Sequence, residues 1–344
     1  MMKYHPLKEL LKARMREFVR EPEAIFWVYG FPVLIAIGLG IAFSNRPVDR
    51  VFVDVQQHAI AEDVAGDLRQ NPDFEVGIHP ESECRERLRL GKSLIVVIPG
   101  DSFTYLFDPT RPESVLARMR VDDALQRAAG RLDPIPTEDR HVTEPGTRYI
   151  DFLIPGLLGM NLLAGSLWGV GYVIVDMRVR KLLKRFIATP MKRAHFLIAS
   201  IGGRMVFMVP EMVVILGAGV LLFGVPIRGN ILSIFFIVFL GATSFTGLGL
   251  LVACRAQKLE TVSGLMNLII LPMYLLSGVF FSPERFPDFM QIPIQALPLT
   301  QFNYALREVV LEGASLASQT WRLGIIVAWG GVSFLFTLRW FRWN

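Results

Sequence analysis

Ile25-Phe26-Trp27-Val28-Tyr29-Gly30-Phe31-Pro32-Val33-Leu34-Ile35-Ala36-Ile37-Gly38-Leu39-Gly40-Ile41-Ala42-Phe43 is an apolar run without a single charge, and its place just ahead of a long polar block decides the fold. The polar block extends from Ser44 to Thr147, and from Arg148 to Asn344 the chain is again almost continuously apolar. A charge-free run of this length matches the hydrocarbon thickness of a bilayer. One span, one polar insert and then a long apolar remainder describe a polytopic membrane protein with a soluble domain after its first helix.

Composition agrees. The 344-residue chain is 52% hydrophobic and 19% charged, against about 25% charged residues in soluble domains. Its mean hydropathy is +0.42. The apolar residues come in runs, which makes lipid the solvent for much of the surface. Ile25–Phe43 is too long for a signal-peptide core, Pro32 interrupts it, and Ser44-Asn45-Arg46-Pro47 is a poor cleavage site, so the span is expected to stay. Two cysteines, Cys84 and Cys254, exclude a disulfide framework and a multi-cysteine metal site.

The net charge of +5 conceals a split. Ser44 to Arg148 holds 14 basic and 19 acidic residues, whereas the rest holds 22 basic and 12 acidic. The surplus sits in short segments flanking the spans. Arg178, Arg180, Lys181, Lys184, Arg185, Lys192 and Arg193 face one acid, Asp176, in a single loop. By the positive-inside rule the N- and C-termini are cytoplasmic and the polar block is extracytoplasmic. No aromatic-interleaved soluble patch carries the basicity, which argues against a nucleic-acid partner.

The expected fold class is a mainly α membrane protein: a six-helix transmembrane bundle with an inserted small α/β domain. Residues 1–24 form an interfacial amphipathic helix, with Leu7, Leu10, Leu11, Met15, Phe18 and Val19 toward lipid and Pro22 at its end. Residues 25–43 are the first span and 44–147 the α/β domain. The domain has strands at Val51–Val55, Phe74–Ile78 and Ser93–Ile98 and helices at His58–Gln70, Glu81–Leu90 and Ser114–Arg131. The third helix carries Val115, Leu116, Met119 and Leu125 on one side. Residues 148–344 supply five further spans near Tyr149–Val175, Phe196–Phe223, Ile231–Cys254, Val262–Phe281 and Leu323–Leu338. Ser282 to Ala317, with Pro283, Pro287, Pro293 and Pro298, is too polar to span and too apolar for an ordinary loop. Short half-buried helices or a re-entrant pair at the outer end fit it.

Two segments could carry function. Met177 to Pro190 is a basic amphipathic helix pattern: Val179, Leu182, Leu183, Phe186 and Ile187 recur at helical spacing among Arg178, Lys181, Lys184 and Arg185. It reads either as a charge cluster lying on anionic membrane lipid or as a helix docking into a groove on a cytoplasmic partner, and periodicity leaves both open. Arg204 and Glu211 lie seven residues apart on one face of the third span. Charges at that depth are costly and face protein or water. Arg204 reads as a snorkelling interface residue, and Glu211 either as a structural hydrogen-bonding group or as part of a polar path. Gly91-Lys92-Ser93 lacks the upstream glycine of a phosphate-binding loop, Glu86 standing there instead, and is rejected. The five histidines are scattered and no G-x-S-x-G occurs, so catalysis by this chain, including ATP hydrolysis, is not expected.

Several segments in order resemble the type 2 ABC transporter permeases, the exporter subunits with a large extracytoplasmic insert after the first helix. They are Arg20-Glu21-Pro22 with Phe31-Pro32, then Tyr149-Ile150-Asp151-Phe152-Leu153-Ile154-Pro155-Gly156, then Leu182-Leu183-Lys184-Arg185 with Ala188-Thr189-Pro190. The C-terminal stretch matches best: Leu271-Pro272, Ser277-Gly278-Val279-Phe280-Phe281, Pro283, Phe286-Pro287, Pro298-Leu299-Thr300, Arg307 and Gly313. The resemblance implies a bacterial plasma-membrane subunit acting with a second permease copy or paralogue. It binds no cofactor itself; ATP is used by a separate ATP-binding subunit. Arg178, Lys181, Leu182, Lys184, Arg185, Phe186, Thr189 and Pro190 would then form the coupling helix touching that subunit. From their charge within the third span, and not from the resemblance, Arg204 and Glu211 are the candidates for a substrate path. Pro283, Pro287, Pro298 and Arg307 would belong to the outer gate. The α/β domain would receive substrate or recruit a periplasmic adaptor. Here Met177 to Arg185 is basic where many members carry an acidic coupling segment, which is closer to the drug-exporter-like branch. The resemblance does not assign the substrate; apolar spans with few charges suggest lipids, amphiphilic drugs or another hydrophobic cargo. The competing class is a membrane sensor or assembly protein whose α/β domain binds an external ligand; five contiguous spans argue against it.

Overall fold

A computed structural model describes Arg16 and residues 20–42, 50–100, 102–132, 148–183 and 193–340, with backbone alone at 24 and 193–200. The chain is mainly helical with one small sheet. It forms two compact units, residues 45–141 and the two flanking stretches 1–44 with 142–344.

The first helix, α1, runs through Pro22–Ile25, the π-helical Phe26–Gly30 and Phe31–Ala42. Pro22 opens it at a position whose N–H would lack a partner anyway. The amphipathic helix expected over residues 1–24 falls almost wholly outside the described residues, as does the linker 133–146.

The smaller unit is β1 Val51–Gln56, α2 Ala61–Arg69, β2 Phe74–His79, α3 Glu81–Arg89, β3 Ile95–Ile98, β4 Thr104–Leu106 and α4 Pro112–Ala128. Its strands are ordered β2-β1-β3-β4; β1 is parallel to β2 and β3, and β4 runs antiparallel to β3. Val51, Val53 and Val55 alternate onto one face and pack with Ala65 and Leu68 of α2 and Ala117, Val121 and Leu125 of α4. On the other face, buried Asp54 accepts a 2.9 Å hydrogen bond from Arg87 Nε of α3. Three expected strands are present. β4 is too short to be legible in sequence, since three residues give no alternation to detect. The buried side of α4 also differs: it is Ser114, Ala117, Val121 and Leu125, while Leu116 and Met119 are exposed. Small Ser114 and Ala117 lie where helix and sheet approach closely, so apolar content alone points to the wrong stripe. Gly91-Lys92-Ser93 forms the turn from α3 into β3, a helix-to-strand order opposite to a phosphate loop.

In the larger unit, α5 comprises Tyr149–Ser166, the π-helical Leu167–Tyr172 and Val173–Val179. Then come α6 Arg193–Phe223, α7 Ile231–Ala253, α8 Leu259–Leu276, α9 Asp288–Ala296, α10 Pro298–Arg307 with a π-helical extension Glu308–Glu312, and α11 Thr320–Trp340. Five stretches are long and apolar enough to cross a membrane: Tyr149–Val179, Ile201–Phe223, Ile231–Ala253, Leu259–Leu276 and Leu316–Trp340. α8 stops at Leu276, short of the expected Phe281, because Gly278 turns the chain with φ +69°. The proline-rich segment folds as the expected short helices. Pro283 opens a 3-10 turn, Pro287 is the N-cap of α9 and Pro298 opens α10.

α5 is the centre of this unit; Leu153, Leu157, Leu158, Leu162, Leu163 and Leu167 are fully buried. It meets α7 at Gly171 and Gly249: a Cβ on Gly171 would lie 2.6 Å from Gly249 O, and one on Gly249 would lie 2.8 Å from Ser166 O. The backbones touch because both side chains are absent.

The corrected face of α4 has a direct consequence. Leu125→Ala is expected to destabilise the smaller unit by about 2–5 kcal/mol, whereas Met119→Ser stays within about 0.5 kcal/mol. Hydrogen exchange of the β1 and β3 amides in the full chain separates the two, and equal loss of protection would contradict the observed packing.

Candidate functional site

Arg204 and Glu211, both on α6, form an ion pair of 2.8 Å inside the larger unit, with side chains 5% and 0% exposed. Two helical turns bring the guanidinium back to the carboxylate. Arg204 also donates from Nε to Ser166 Oγ at 3.2 Å and from Nη2 to Leu162 O at 3.1 Å. Both acceptors lie on α5 where its α-helical part gives way to the π-helical turn, which brings extra backbone width to the site. Gly165 makes room: a Cβ there would stand 2.8 Å from Nη2. Pro210, next to Glu211, has no N–H to give the carbonyl four residues earlier, so α6 is locally weakened at this site.

Around the pair stand polar groups from three other helices. Asn161 of α5 donates to Val28 O of α1 at 2.7 Å. The hydroxyl of Tyr274 on α8 donates to Met160 O at 3.0 Å. Tyr29 of α1 lies beside the pair and reaches Phe207 O at 3.5 Å. Among the described residues, neither carboxylate oxygen of Glu211 accepts an aligned hydrogen bond. The snorkelling expected of Arg204 does not occur, since its head is turned to Glu211 and α5. Asn161, Ser166, Tyr29 and Tyr274 escape sequence reasoning; each is a single polar residue in an apolar run, a signal too common to choose by.

The other predicted residues fall elsewhere. Arg178 is 8% exposed and donates to Ala253 O at 2.8 Å, to Cys254 O at 3.3 Å and to Ala256 O. It is therefore the end of the α5 span and not part of an exposed face. A single helix from Met177 onward is not formed: α5 ends at Val179 and Lys181 takes φ 60°, before Leu182 and Leu183 resume helical backbone. A left-handed residue cannot sit inside a helix. Lys184, Arg185, Phe186, Thr189 and Pro190 lie outside the described residues. Arg307 is buried on α10. It donates to Phe152 O at 3.0 Å and to Gly278 O, and its guanidinium lies 3.5 Å from the Phe152 ring centroid. Pro283 is buried beside it in the turn after α8, Pro298 is buried at the far end of α10 and Pro287 is exposed. The fold thus gathers Arg204 with Glu211, and Arg307 with Pro283, in two separate clusters.

The cysteines are free and buried. Burial pushes the Cys84 thiol up to about 11. Among the described residues no cluster of three metal-ligating side chains occurs.

A family model described as "ABC-2 family transporter protein" matches residues 22–339. The chain belongs to this family. Relatives agree at low identity. "Probable multidrug ABC transporter permease YbhR" of Escherichia coli (strain K12) is 21% identical over 95% of this chain and 96% of its own length. "Probable multidrug ABC transporter permease YbhS" of the same organism is 20% identical over 91% of this chain and 90% of its own length. "ABC transporter G family member 20" of Dictyostelium discoideum is 26% identical over 63% of this chain, but the match spans only 29% of that larger protein. As a member of the ABC-2 family the chain is a multi-pass membrane permease, and the buried ion pair lies within the part the family model covers.

Removing one partner of a buried pair costs about 3–5 kcal/mol because the other charge stays unpaired. Arg204→Met and Glu211→Gln are each expected to lower thermal stability in detergent by that order, and the double variant by clearly less than the sum. Additive losses would mean that the two side chains do not act as a pair.

Proposed function

We propose that the chain is the transmembrane subunit of an ATP-driven exporter, moving a hydrophobic or amphiphilic molecule out of the cytoplasm while ATP is hydrolysed on a separate subunit. The observation that carries the proposal is the family match over nearly the whole helical unit, 22–339, with multidrug permeases aligned end to end. The geometry supports it. In this reading the shorter apolar stretch Phe26–Ala42 of α1 serves as a sixth span beside the five candidate spans. The Arg204–Glu211 pair is the one ion pair with both members inside those spans among the described residues, and intramembrane charges commonly mark a transport route.

In this scheme Lys181, Leu182, Lys184, Arg185, Phe186, Thr189 and Pro190 meet the ATP-binding subunit, while Arg178 anchors them. Both termini and the basic loop are cytoplasmic in the inner membrane, and the α/β unit is extracytoplasmic, where it receives substrate or an adaptor. A second permease copy completes the pore, and lipid covers the remaining helix faces. The short helices α9 and α10, with Pro283, Pro287, Pro298 and Arg307, form the outer gate. Exchange between inward- and outward-facing states is a rigid-body rocking driven by closure of the ATP-binding subunits.

Two measurements test this. An ATP-binding-cassette protein co-purifies with the wild-type chain, and replacing Leu182, Arg185 and Phe186 together with alanine abolishes the association; retained binding would remove the docking role. A cysteine replacing exposed Asp108 is labelled by an impermeant reagent on intact spheroplasts; labelling only after permeabilisation would invert the orientation.

A further inference from the structure

The last carbonyls of a helix have no partners within it and carry the negative end of its dipole. At the end of α7 these are the carbonyls that Arg178 holds: Ala253 and Cys254 close the helix, and Ala256 lies in the turn to α8. Ala253, Cys254 and Ala256 are all buried, so water does not compete for them. Arg178 itself stands in the last turn of α5, just before the break at Lys181. On the far side of that break Leu183, 1% exposed, packs into the same core as Ala253, Ala256 and Val262. The chain is thus fastened on both sides of its turn, by a charged fork before it and an apolar side chain after it. A guanidinium is suited to this place because its planar, multiply donating head reaches several carbonyls at once, which an ammonium on a flexible stem does not.

We propose that Arg178 is a positioning residue that joins the end of α5 to the α7–α8 turn, so that force applied to the segment beginning at Leu182 moves three spans together. Without the joint the same force would bend the α5 terminus alone. The inference rests on the proposed docking of that segment to an ATP-binding subunit, but the joint exists in the isolated permease and is tested there too.

Spin labels on cysteines replacing exposed Val179 and Lys258, in a Cys84→Ala, Cys254→Ala background of the full chain, report the distance across the joint. The wild type is expected to give one narrow distance in nucleotide-free protein, unchanged when the complex is trapped with ATP and vanadate. Arg178→Met broadens or splits the distribution, and Arg178→Lys gives an intermediate width. In the same variants the ATP-binding subunit still co-purifies, but ATP-driven ethidium uptake into inside-out vesicles per ATP hydrolysed falls about tenfold for Arg178→Met and less for Arg178→Lys. A wild-type distance that changes on trapping, or an Arg178→Met or Arg178→Lys distribution as narrow as wild type, overturns the proposal. Failure of any ATP-binding-cassette protein to co-purify with wild type would instead remove the docking role, leaving the nucleotide-free widths to decide the joint. If Arg178→Met does not fold, the Arg178→Lys width and the wild-type invariance decide it.

Discussion

A guanidinium buried among apolar helices must be satisfied by the protein, because no water is at hand to do it. Three arginines meet this constraint here, each in a different way. Arg204 has a carboxylate, a hydroxyl and a carbonyl. Arg178 has the carbonyls at a helix end. Arg307 has two carbonyls and the face of a phenyl ring. Each side chain reaches from its own helix to another element, and together they tie α5 to α6, α7 and the short helices. Arg178 and Arg307 act at opposite ends of α5, with Arg204 between them. Single charges that would each be a liability in lipid become the fixed points of the bundle.

Those fixed points need backbone that can yield. Gly165 admits the Arg204 head, and Gly171 with Gly249 lets α5 and α7 touch. The π-helical turn Leu167–Tyr172 lies directly after Ser166, and a second one, Phe26–Gly30, lies where α1 supplies Val28 O and Tyr29. Wide turns therefore occur on two of the three helices that face the ion pair. Such turns give up regular hydrogen bonding for local shape, and they concentrate at working parts of proteins.

The smaller unit follows ordinary soluble rules. Its sheet buries valines on one face and covers Asp54 on the other with Arg87, which balances the charge on the central strand. Nothing in its packing depends on lipid, and its acidic balance contrasts with the basic remainder.

Hydropathy settles how a chain divides between lipid and water, because burial of apolar surface adds up along the chain. Hence five apolar helices, three strands and the short proline-started helices were legible, and so was the placing of Arg204 and Glu211 on one helix. What a charged side chain meets is another matter. Whether Arg178 points to a partner or to Ala253, 75 residues away, depends on how α5 and α7 pack, and no local pattern carries that. The helix break at Lys181, the true buried face of α4 and the set of groups around Glu211 have the same origin. By itself the sequence determined which segments leave water and on which helix the charges ride. Only the tertiary structure decided which distant carbonyls and hydroxyls satisfy them, because that choice is made by close approach of backbones far apart in the chain.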